Sequence, residues 1–509
     1  MNFGAMPPAD NSTTANRTPP TAGNIHMSRT RSGDAAPAAG LARNSVGTAH
    51  IVFFVVAAAA PLASVVGASP AAFAFGNGAG VPGVYLLAGL LYLVFSVGFT
   101  AMSRETGTTG GFYTYITRGL GRPAGVAAAS VALLTYKMIQ LAVYALFGIF
   151  VSGALAGLGI AMPWWLPILA VMAVIWACGS RNIAFSGRLL GLCMLAEIAI
   201  LFALDIGILL RGGGPEGITL TSFAPTTVFA PGLGAALVFV VGSFMGFEAT
   251  AIFAEEAENP RRTIPRATYV AVALIAGFYA FSTWAITQYY GPAQIQTQAQ
   301  TGLETLFFTA ATDVLGGWSV TAMELLLIVS LFASALSFHN TINRYFFALG
   351  RDGLLPRGLG LVHARHGSPH VAGRAQALIA AGLLAVAVIA GMDPYAVVFS
   401  WTSAIAVIGI LSVQMLVSVA IIAHFRRHGG DLGLWTRLIA PALALAGLGV
   451  GLGLVIANLP LLAGSDSPVV WGFPWLVMGF GLIGAAYAIF LRSRRPALYA
   501  ALGTAITEV

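Results

Sequence analysis

Two closely spaced glycines and a carboxylate interrupt the apolar segment that begins at Pro231. Gly242 and Gly246 each weaken a helix by roughly 1 kcal/mol relative to alanine. An ionised Glu248 at membrane depth costs at least about 2.5 kcal/mol. A simple membrane anchor needs neither feature, whereas a helix that opens within the membrane to hold a polar solute needs both. The pattern therefore predicts a solute-binding break in this segment.

Charged side chains within the apolar segments indicate where a proton or an ion could be bound. Asp205 and Glu324 lie close to segment ends, and at the helical rise they are expected to be solvated rim residues. Lys137, Glu197 and Glu248 lie deeper and must face a protein interior or a water-filled cavity. One interpretation is a buried lysine–carboxylate pair that only fixes helix packing. The other, which we favour, is a proton-coupling group of these three residues, in which a desolvated carboxylate binds and releases the proton. Glu248 is its first candidate, because it adjoins the expected break.

The composition places these residues in a polytopic membrane protein. Of 509 residues, 58% are apolar and only 8% are charged, whereas soluble domains carry about 25% charged residues. The net charge of +7 is almost entirely arginine, since Lys137 is the only lysine, and its distribution argues against a nucleic-acid partner. Cys178 and Cys193 both lie within or beside apolar segments, so a disulfide framework is not expected. Residues 1–48 lack the apolar core of a signal peptide and are expected to be a disordered cytoplasmic tail.

Twelve apolar segments follow this tail, and their lengths predict helices, because backbone groups in lipid must be satisfied within the segment. Segments 1 to 12 cover about residues 50–75, 81–102, 124–155, 163–178, 189–210, 231–254, 268–290, 318–347, 373–391, 395–424, 436–458 and 470–491. Arginines concentrate in the loops and segment ends on one side, and only Arg211 falls in a loop on the other. The positive-inside rule therefore predicts that both termini are cytoplasmic.

Segment 1 has an interruption of its own at Pro61, followed by Gly67 and Pro70. A proline in a helix interior removes one hydrogen bond and costs roughly 3 kcal/mol. The alternative is a proline kink that only shapes packing. We favour a functional break, because segment 6 is also interrupted and lies five segments later, as expected of an inverted repeat. The predicted divisions are 1–48 (tail), 49–210 (segments 1–5, first repeat), 211–230 (outer loop), 231–424 (segments 6–10, inverted repeat) and 425–509 (segments 11 and 12 and the C-terminus).

Two stretches resemble a known family. SFMGFEATAIFAEEAENPRRTIPRA is similar to the sixth-helix signature of the amino acid–polyamine–organocation (APC) permeases, and RYFFALGRDGLLP, from Arg344 to Pro356, is similar to the end of that family's eighth helix. Helix number and order match along nearly the whole chain after residue 49. The resemblance implies a LeuT-like fold: an all-α polytopic membrane protein of twelve transmembrane helices, with a 5+5 inverted repeat, two further C-terminal helices, and helices 1 and 6 broken.

The resemblance also implies a secondary transporter that moves an amino acid across the cytoplasmic membrane by alternating access, with proton coupling favoured. The alternatives are a permease or exchanger for a polyamine or another organic amine, and a sodium-coupled carrier. Segment 1 reads APLAS where the amino acid carriers of the family usually have Gly-x-Gly, and members with a proline there include polyamine and amine carriers. A charged Lys137 lining the pocket would argue against a polyamine, because like charges repel strongly in a low-dielectric site.

In the implied fold, the opened ends of segments 1 and 6 present backbone groups to the substrate. Free N–H groups at a helix N-terminus suit a carboxylate and free carbonyls at a C-terminus suit an ammonium, so a zwitterion fits both. The expected substrate-binding residues are Ala60, Pro61, Leu62, Ala63, Ser64, Gly242, Ser243, Phe244 and Gly246, with Tyr136 and Phe338 as further lining residues.

The sequence specifies the coupling ion and the gate less closely than it specifies the substrate-binding residues. In several sodium-independent relatives a lysine on helix 5 replaces the sodium ion, but here segment 5 carries Glu197 and Asp205 instead. Ser334 and Ser337 are a possible sodium site or ordinary helix contacts. The turn after segment 6 is either a solvated helix end with weak ion pairs or a cytoplasmic gate. The gate residues would be Glu255, Glu256, Arg261 and Arg344.

Other functional classes find little support in the sequence. It contains no phosphate-binding loop of the Gly-x-x-x-x-Gly-Lys-Ser/Thr type and no His-Glu-x-x-His zinc motif. His339 stands alone and is expected to be a polar packing residue. We therefore expect no enzyme activity, catalytic residue, cofactor or metal. The expected partners are a small-molecule substrate, a proton (in the alternative, sodium) and the lipid bilayer. The stretch Gln294–Gly317 is the longest predicted outer loop, either a lid or a spacer.

Overall fold

The chain folds as a bundle of long helices. The computed structural model describes residues 47–106, 111–181, 187–248, 250–251, 257–363, 368–428, 432–463 and 467–502. Nine helices in these ranges are long and apolar enough to cross a membrane. This confirms the polytopic all-helical architecture, while the count of twelve spans and the inverted repeat stay predictions.

The α-helices are numbered in chain order. Their bounds are α1 Thr48–Ala59, α2 Ser69–Phe75, α3 Val81–Thr106, α4 Gly111–Leu120, α5 Arg122–Gly157, α6 Trp165–Arg181, α7 Gly187–Leu210, α8 Pro225–Val228, α9 Leu233–Phe244, α10 Pro260–Tyr290, α11 Ile295–Thr301, α12 Leu306–Leu315, α13 Trp318–Arg351, α14 His370–Ile389, α15 Ser400–Arg427, α16 Ala440–Ala457, α17 Leu459–Ala463, α18 Phe473–Arg494 and α19 Pro496–Ala501.

Three of the twelve predicted segments contain only shorter helices. Segment 4 corresponds to α6, which has 17 residues. Segment 1 is divided into α1, a π-helical turn over Ala63–Ala68, and α2. Segment 6 is α-helical only as far as the end of α9, and segment 7 begins earlier than predicted, at the start of α10. The predicted α-helix over 231–254 is therefore too long, because the chain leaves the α-helical conformation at Met245 and Gly246; residues 249 and 252–254 lie outside the described ranges.

The centre of the bundle is α5, which packs against α4, α13, α15 and α18. Small residues allow these helices to approach closely. A Cβ added at Gly409 of α15 would lie 2.1 Å from Thr135 Oγ1, and one at Gly484 of α18 would lie 2.4 Å from Ser130 Oγ. Such close contacts are the main source of helix association in lipid, where apolar burial provides little driving force.

The predicted outer loop at 294–317 contains two short helices, α11 and α12. Ile295 and Ala299 of α11 are buried, and two glutamines of α11 bind the end of α2. Gln296 Nε2 donates to the carbonyl of Gly76 at 2.9 Å, and Gln300 Nε2 donates to that of Ala74 at 3.1 Å. This segment is thus attached to the second half of segment 1.

Candidate functional site

The break in segment 1 lies at Ala60. Its φ is 48°, and it is the only residue other than glycine with a positive φ in the described ranges. The left-handed region costs an L-residue roughly 1–2 kcal/mol. Pro61 contributes, because the right-handed helical conformation is disfavoured for a residue that precedes proline. The carbonyl of Ala59, at the end of α1, accepts hydrogen bonds from Ser64 Oγ at 2.7 Å and from Tyr279 Oη at 3.0 Å. Hydroxyl groups therefore satisfy the open end of α1.

The break in segment 6 follows Phe244. Met245 adopts an extended conformation and Gly246 has a φ of 111°, which is accessible to glycine at little cost. The backbone N–H of Gly246 donates to Glu248 Oε2 at 3.0 Å, and Tyr136 Oη donates to Glu248 Oε1 at 2.7 Å. The carboxylate therefore ties the break to α5.

A cavity of about 60 Å³ lies between the two breaks. Its walls come from both breaks and from α5, α9, α13 and the start of segment 10. The lining residues are Ala59, Ala60, Ala63, Ser64, Ala68, Ile139, Ala142, Val143, Leu146, Val238, Phe239, Gly242, Ser243, Met245, Leu331, Ser334, Phe338, Phe399 and Ser403. None of these side chains is charged.

The structure places about half of the predicted substrate residues on the cavity wall. These are Ala60, Ala63, Ser64, Gly242, Ser243 and Phe338. The others are not among the residues that line it: Pro61, Leu62, Tyr136, Phe244 and Gly246. Tyr136 is directed to Glu248, and the ring of Phe244 packs 5.1 Å from that of Tyr92. Gly242 was expected to interrupt the helix, but it remains within α9 and contributes space instead.

Several lining residues were not predicted from the sequence. On α5, Ile139, Val143 and Leu146 follow the helical spacing of one face, so their periodicity was a usable signal once α5 was known to face the site. Phe239 lies one turn before Ser243, where the same spacing applies. Phe399 of segment 10 stacks on the ring of Phe239 at 5.6 Å, and nothing in the sequence pointed to this contact.

Glu197 of α7 contacts the break in segment 1. Its carboxylate is 3% exposed. Glu197 Oε2 accepts a hydrogen bond from Ser330 Oγ of α13 at 2.7 Å and lies 3.5 Å from the backbone nitrogen of Leu62. Each of the two breaks therefore offers a backbone N–H group to one buried carboxylate, Glu197 at segment 1 and Glu248 at segment 6.

Lys137 lies away from the cavity. Its ammonium donates to Gln140 Oε1 at 3.0 Å and to the carbonyl oxygen of Gln376 at 3.1 Å, and it also contacts the side-chain oxygen of Gln376. It forms no ion pair with a carboxylate in the part of the chain that the structure describes, so the alternative of a lysine–carboxylate pair that only fixes packing finds no support there. The reason is rotational: two residues turn a helix by about 200°, which directs Lys137 towards α14 while Ile139 faces the cavity. Gln376 in turn contacts Nδ1 of His339, a buried polar residue as expected.

Asp205 is not the solvated rim residue that its position suggested. Its side chain is fully buried, and Asp205 Oδ2 accepts a hydrogen bond from Ser282 Oγ of α10 at 2.6 Å. The depth of a residue from a helix end did not determine its exposure, because α10, α12 and α13 all pack against α7. Glu324 is only partly buried, in keeping with its predicted rim position.

The structure describes both residues of the proposed sodium site but only some of the proposed gate residues. Ser334 lines the cavity, whereas Ser337 is half-buried and does not. Arg261 and Arg344 are exposed at the start of α10 and in the last turns of α13. Glu255 and Glu256 lie outside the described residues, so the gate stays a prediction.

The known proteins that this chain resembles are, by their names, transport proteins. The family model for amino acid permeases matches residues 50–489. The low-affinity putrescine importer PlaP of Escherichia coli (strain K12) is 23% identical over 298 residues, 57% of this chain and 63% of that protein. The branched-chain amino acid permease BcaP of Lactococcus lactis subsp. cremoris (strain MG1363) is 25% identical over 374 residues, 70% of this chain and 76% of that protein. The cystine/glutamate transporter of Pongo abelii is 24% identical over 297 residues, 56% of this chain and 57% of that protein. The match thus spans less than two thirds of the first and third of these proteins.

Proposed function

Because this chain belongs to the amino acid permease family, we propose that it is a secondary active transporter that carries a small neutral amino acid by alternating access. The family and the names of its relatives indicate a transporter rather than an enzyme. The observation that carries the proposal is the pair of helix breaks that flank one cavity, each with a buried carboxylate at a backbone N–H group. The arginine distribution orients the chain with both termini on the cytoplasmic side of the plasma membrane.

The cavity supports an amino acid over a polyamine. Its wall is formed by aliphatic and aromatic side chains with four serines, and no carboxylate lines it to neutralise a cationic amine. A dication in this apolar space would lack the counter-charge that a buried ion requires. Lys137 does not enter the argument, since its ammonium lies against Gln140 and Gln376 rather than in the cavity. A putrescine-like substrate, suggested by the name of PlaP, is the second candidate.

The backbone at the breaks provides the charged-group recognition that the side chains lack. We assign the substrate ammonium to the carbonyl end of α1, where Ala59 now accepts hydroxyl groups of Ser64 and Tyr279. We assign the substrate carboxylate to the N–H groups of the turn after Pro61, of which that of Leu62 becomes free when a proton on Glu197 weakens their contact. The rings of Phe239, Phe338 and Phe399 line the space that the substrate would occupy.

Proton coupling is assigned to Glu197 and Glu248. An ionised carboxylate accepts a hydrogen bond from the N–H group at its break more strongly than a protonated one does. A proton on Glu197 therefore weakens the contact with Leu62, and a proton on Glu248 weakens the contact with Gly246. Protonation is thus linked to the conformation of the two segments that must move.

Uptake into proteoliposomes tests this function. Alanine, valine, glutamate and putrescine are supplied separately under an imposed proton gradient, and then under a sodium gradient. The expected result is accumulation of alanine or valine driven by the proton gradient alone. Accumulation of putrescine alone would overturn the substrate assignment, and dependence on sodium alone would overturn the coupling assignment.

Variants of the two carboxylates test whether they couple transport to protons. Glu197→Gln and Glu248→Gln are both expected to lose proton-driven accumulation while retaining substrate exchange across a vesicle without a gradient. Glu324→Gln is the matched control, because this glutamate is partly exposed and lies outside the cavity wall. Wild-type accumulation in both test variants would remove proton coupling from these residues.

A further inference from the structure

A second buried carboxylate on α7 has no role in the function proposed above. Asp205 is fully buried, and among the described residues it accepts one hydrogen bond, from Ser282 Oγ at 2.6 Å. Asp205 Oδ1 has no partner among the described protein atoms. A buried carboxylate that is ionised and unpaired is strongly destabilising, and an unsatisfied polar atom also costs free energy. Such a group is poorly suited to a purely structural role.

Within the part of the chain that the structure describes, Asp205 has no counter-ion. None of the charged or titratable side chains that the structure describes on α7, or on the elements packed against it, forms a hydrogen bond or ion pair with this residue. These groups are Cys193, Glu197 and Arg211 with α7, His50 on α1, Arg261, Arg262, Arg266, Tyr269, Tyr279, Tyr289 and Tyr290 on α10, Asp313 on α12, and Glu324, His339, Arg344, Tyr345 and Arg351 on α13. Arg211 pairs instead with Asp313, with 3.3 Å between Nη1 and Oδ2, at the exposed end of α7.

The position of Asp205 connects it to the break in segment 1. It lies eight residues beyond Glu197 on α7, a rise of about 12 Å towards the outer side in the proposed orientation. Its partner Ser282 is one turn from Tyr279 on α10, and Tyr279 Oη donates to the carbonyl of Ala59 at 3.0 Å. Hydroxyl groups on α10 therefore extend from Asp205 to the break that Glu197 also contacts.

We propose that Asp205 is a proton-binding site that takes a proton from the outer medium and passes it to Glu197. The inference rests on the proposed proton coupling of Glu197. In the transfer, one O–H bond on Asp205 breaks and one forms on Glu197, so Asp205 returns to the carboxylate as Glu197 becomes the acid. Ser282 and Tyr279 supply hydroxyl groups along the route, and water that enters in the outward-open state completes it.

The test compares proton-driven accumulation with exchange in proteoliposomes that contain the full chain. Asp205→Asn is expected to lower proton-driven accumulation of the transported amino acid about tenfold or more, or about 1.4 kcal/mol in free energy, because an asparagine side chain cannot bind and release a proton. Exchange of the same substrate without a gradient should stay within about twofold, because no net proton movement is needed. The dependence of uptake on external pH should flatten. Asp205→Glu, which keeps an acid, should restore both the accumulation and the pH profile.

The matched control is Asp313→Asn, an exposed aspartate near the same end of α7. It should leave accumulation and the pH profile unchanged. Wild-type accumulation in Asp205→Asn would overturn this proposal alone. A loss of exchange equal to the loss of accumulation, with no rescue by Asp205→Glu, would assign Asp205 a structural role and also overturn it. A wild-type protein without proton-driven accumulation would overturn the proposed coupling first, and this inference with it.

Discussion

Replacing Gly242 by alanine should narrow the range of substrates without damaging the fold. Gly242 lies within α9 and lines the cavity. A Cβ built at this position meets only Val407 Cγ2, at 4.0 Å, which is ordinary van der Waals contact. In a helix interior, alanine is favoured over glycine by roughly 1 kcal/mol. The folded protein should therefore be as stable as the wild type or slightly more stable.

The added methyl group enters a cavity of only about 60 Å³. One methylene group more or less in an apolar pocket is worth about 1–3 kcal/mol, or about 10–200-fold in discrimination. The transport efficiency for the largest accepted amino acid should therefore fall about tenfold or more relative to that for the smallest. The assay is uptake of a graded series, alanine to valine to leucine, into proteoliposomes, with thermal stability in detergent measured in parallel.

Two other glycines of the same segment provide controls with the opposite expectation. A Cβ at Gly234 would lie 2.0 Å from the carbonyl oxygen of Leu454, and Gly246 has a φ of 111°. Gly234→Ala and Gly246→Ala should both lower thermal stability, the first by a backbone clash and the second by backbone strain. The reasoning fails if Gly242→Ala slows every substrate equally, or if it destabilises the protein as much as these two variants do.

Three further changes test separate parts of the structure. Glu248→Gln should keep substrate binding, measured by ligand-induced thermal stabilisation, but lose the pH dependence of uptake; an unchanged pH profile would remove Glu248 from coupling. Lys137→Met should lower stability by about 1–3 kcal/mol, because Gln376 and its neighbours lose a buried donor, while the Michaelis constant for uptake should stay the same; a large change in that constant would place the ammonium in the substrate site. Burial, followed by the nearby charge of Asp393, raises the pKa of Glu304. A raised pKa in the folded state means that stability present at low pH is lost as the pH rises through that pKa, so Glu304→Gln should raise the melting temperature at pH 7 more than at pH 4, and an equal shift at both values would contradict it.

The sequence located the two breaks well, because proline and glycine act on the backbone locally. Pro61 and Gly246 adjoin the residues where the helices end. Gly242 was misjudged, since a glycine is compatible with both a break and an open helix surface, and only packing decides between them. About half of the predicted substrate residues line the cavity, because residues close to the breaks in the sequence are also close to the cavity. Phe399 could not be predicted in this way, since it comes from a segment distant in the sequence.

The surroundings of two charged residues could not be read from the sequence, for the same reason in each case. Lys137 and Asp205 were placed correctly on their helices, but their surroundings depend on how each helix is rotated and on which neighbours cover it. Lys137 meets Gln376 of α14, and Asp205 meets Ser282 of α10. Periodicity within one helix gives neither contact, since both depend on tertiary packing.

Because α11 is attached to α2, a reagent that binds α11 from outside could restrain the movement of segment 1 in the transporter. Gln296 and Gln300 bind the terminal carbonyls of α2, while Thr297 and Gln298 of the same short helix are exposed. In the proposed orientation, an antibody fragment or cyclic peptide that binds the exposed face of α11 from outside would immobilise the second half of segment 1. Such a reagent would arrest the transport cycle without competing for the cavity, so its inhibition would be insensitive to substrate concentration.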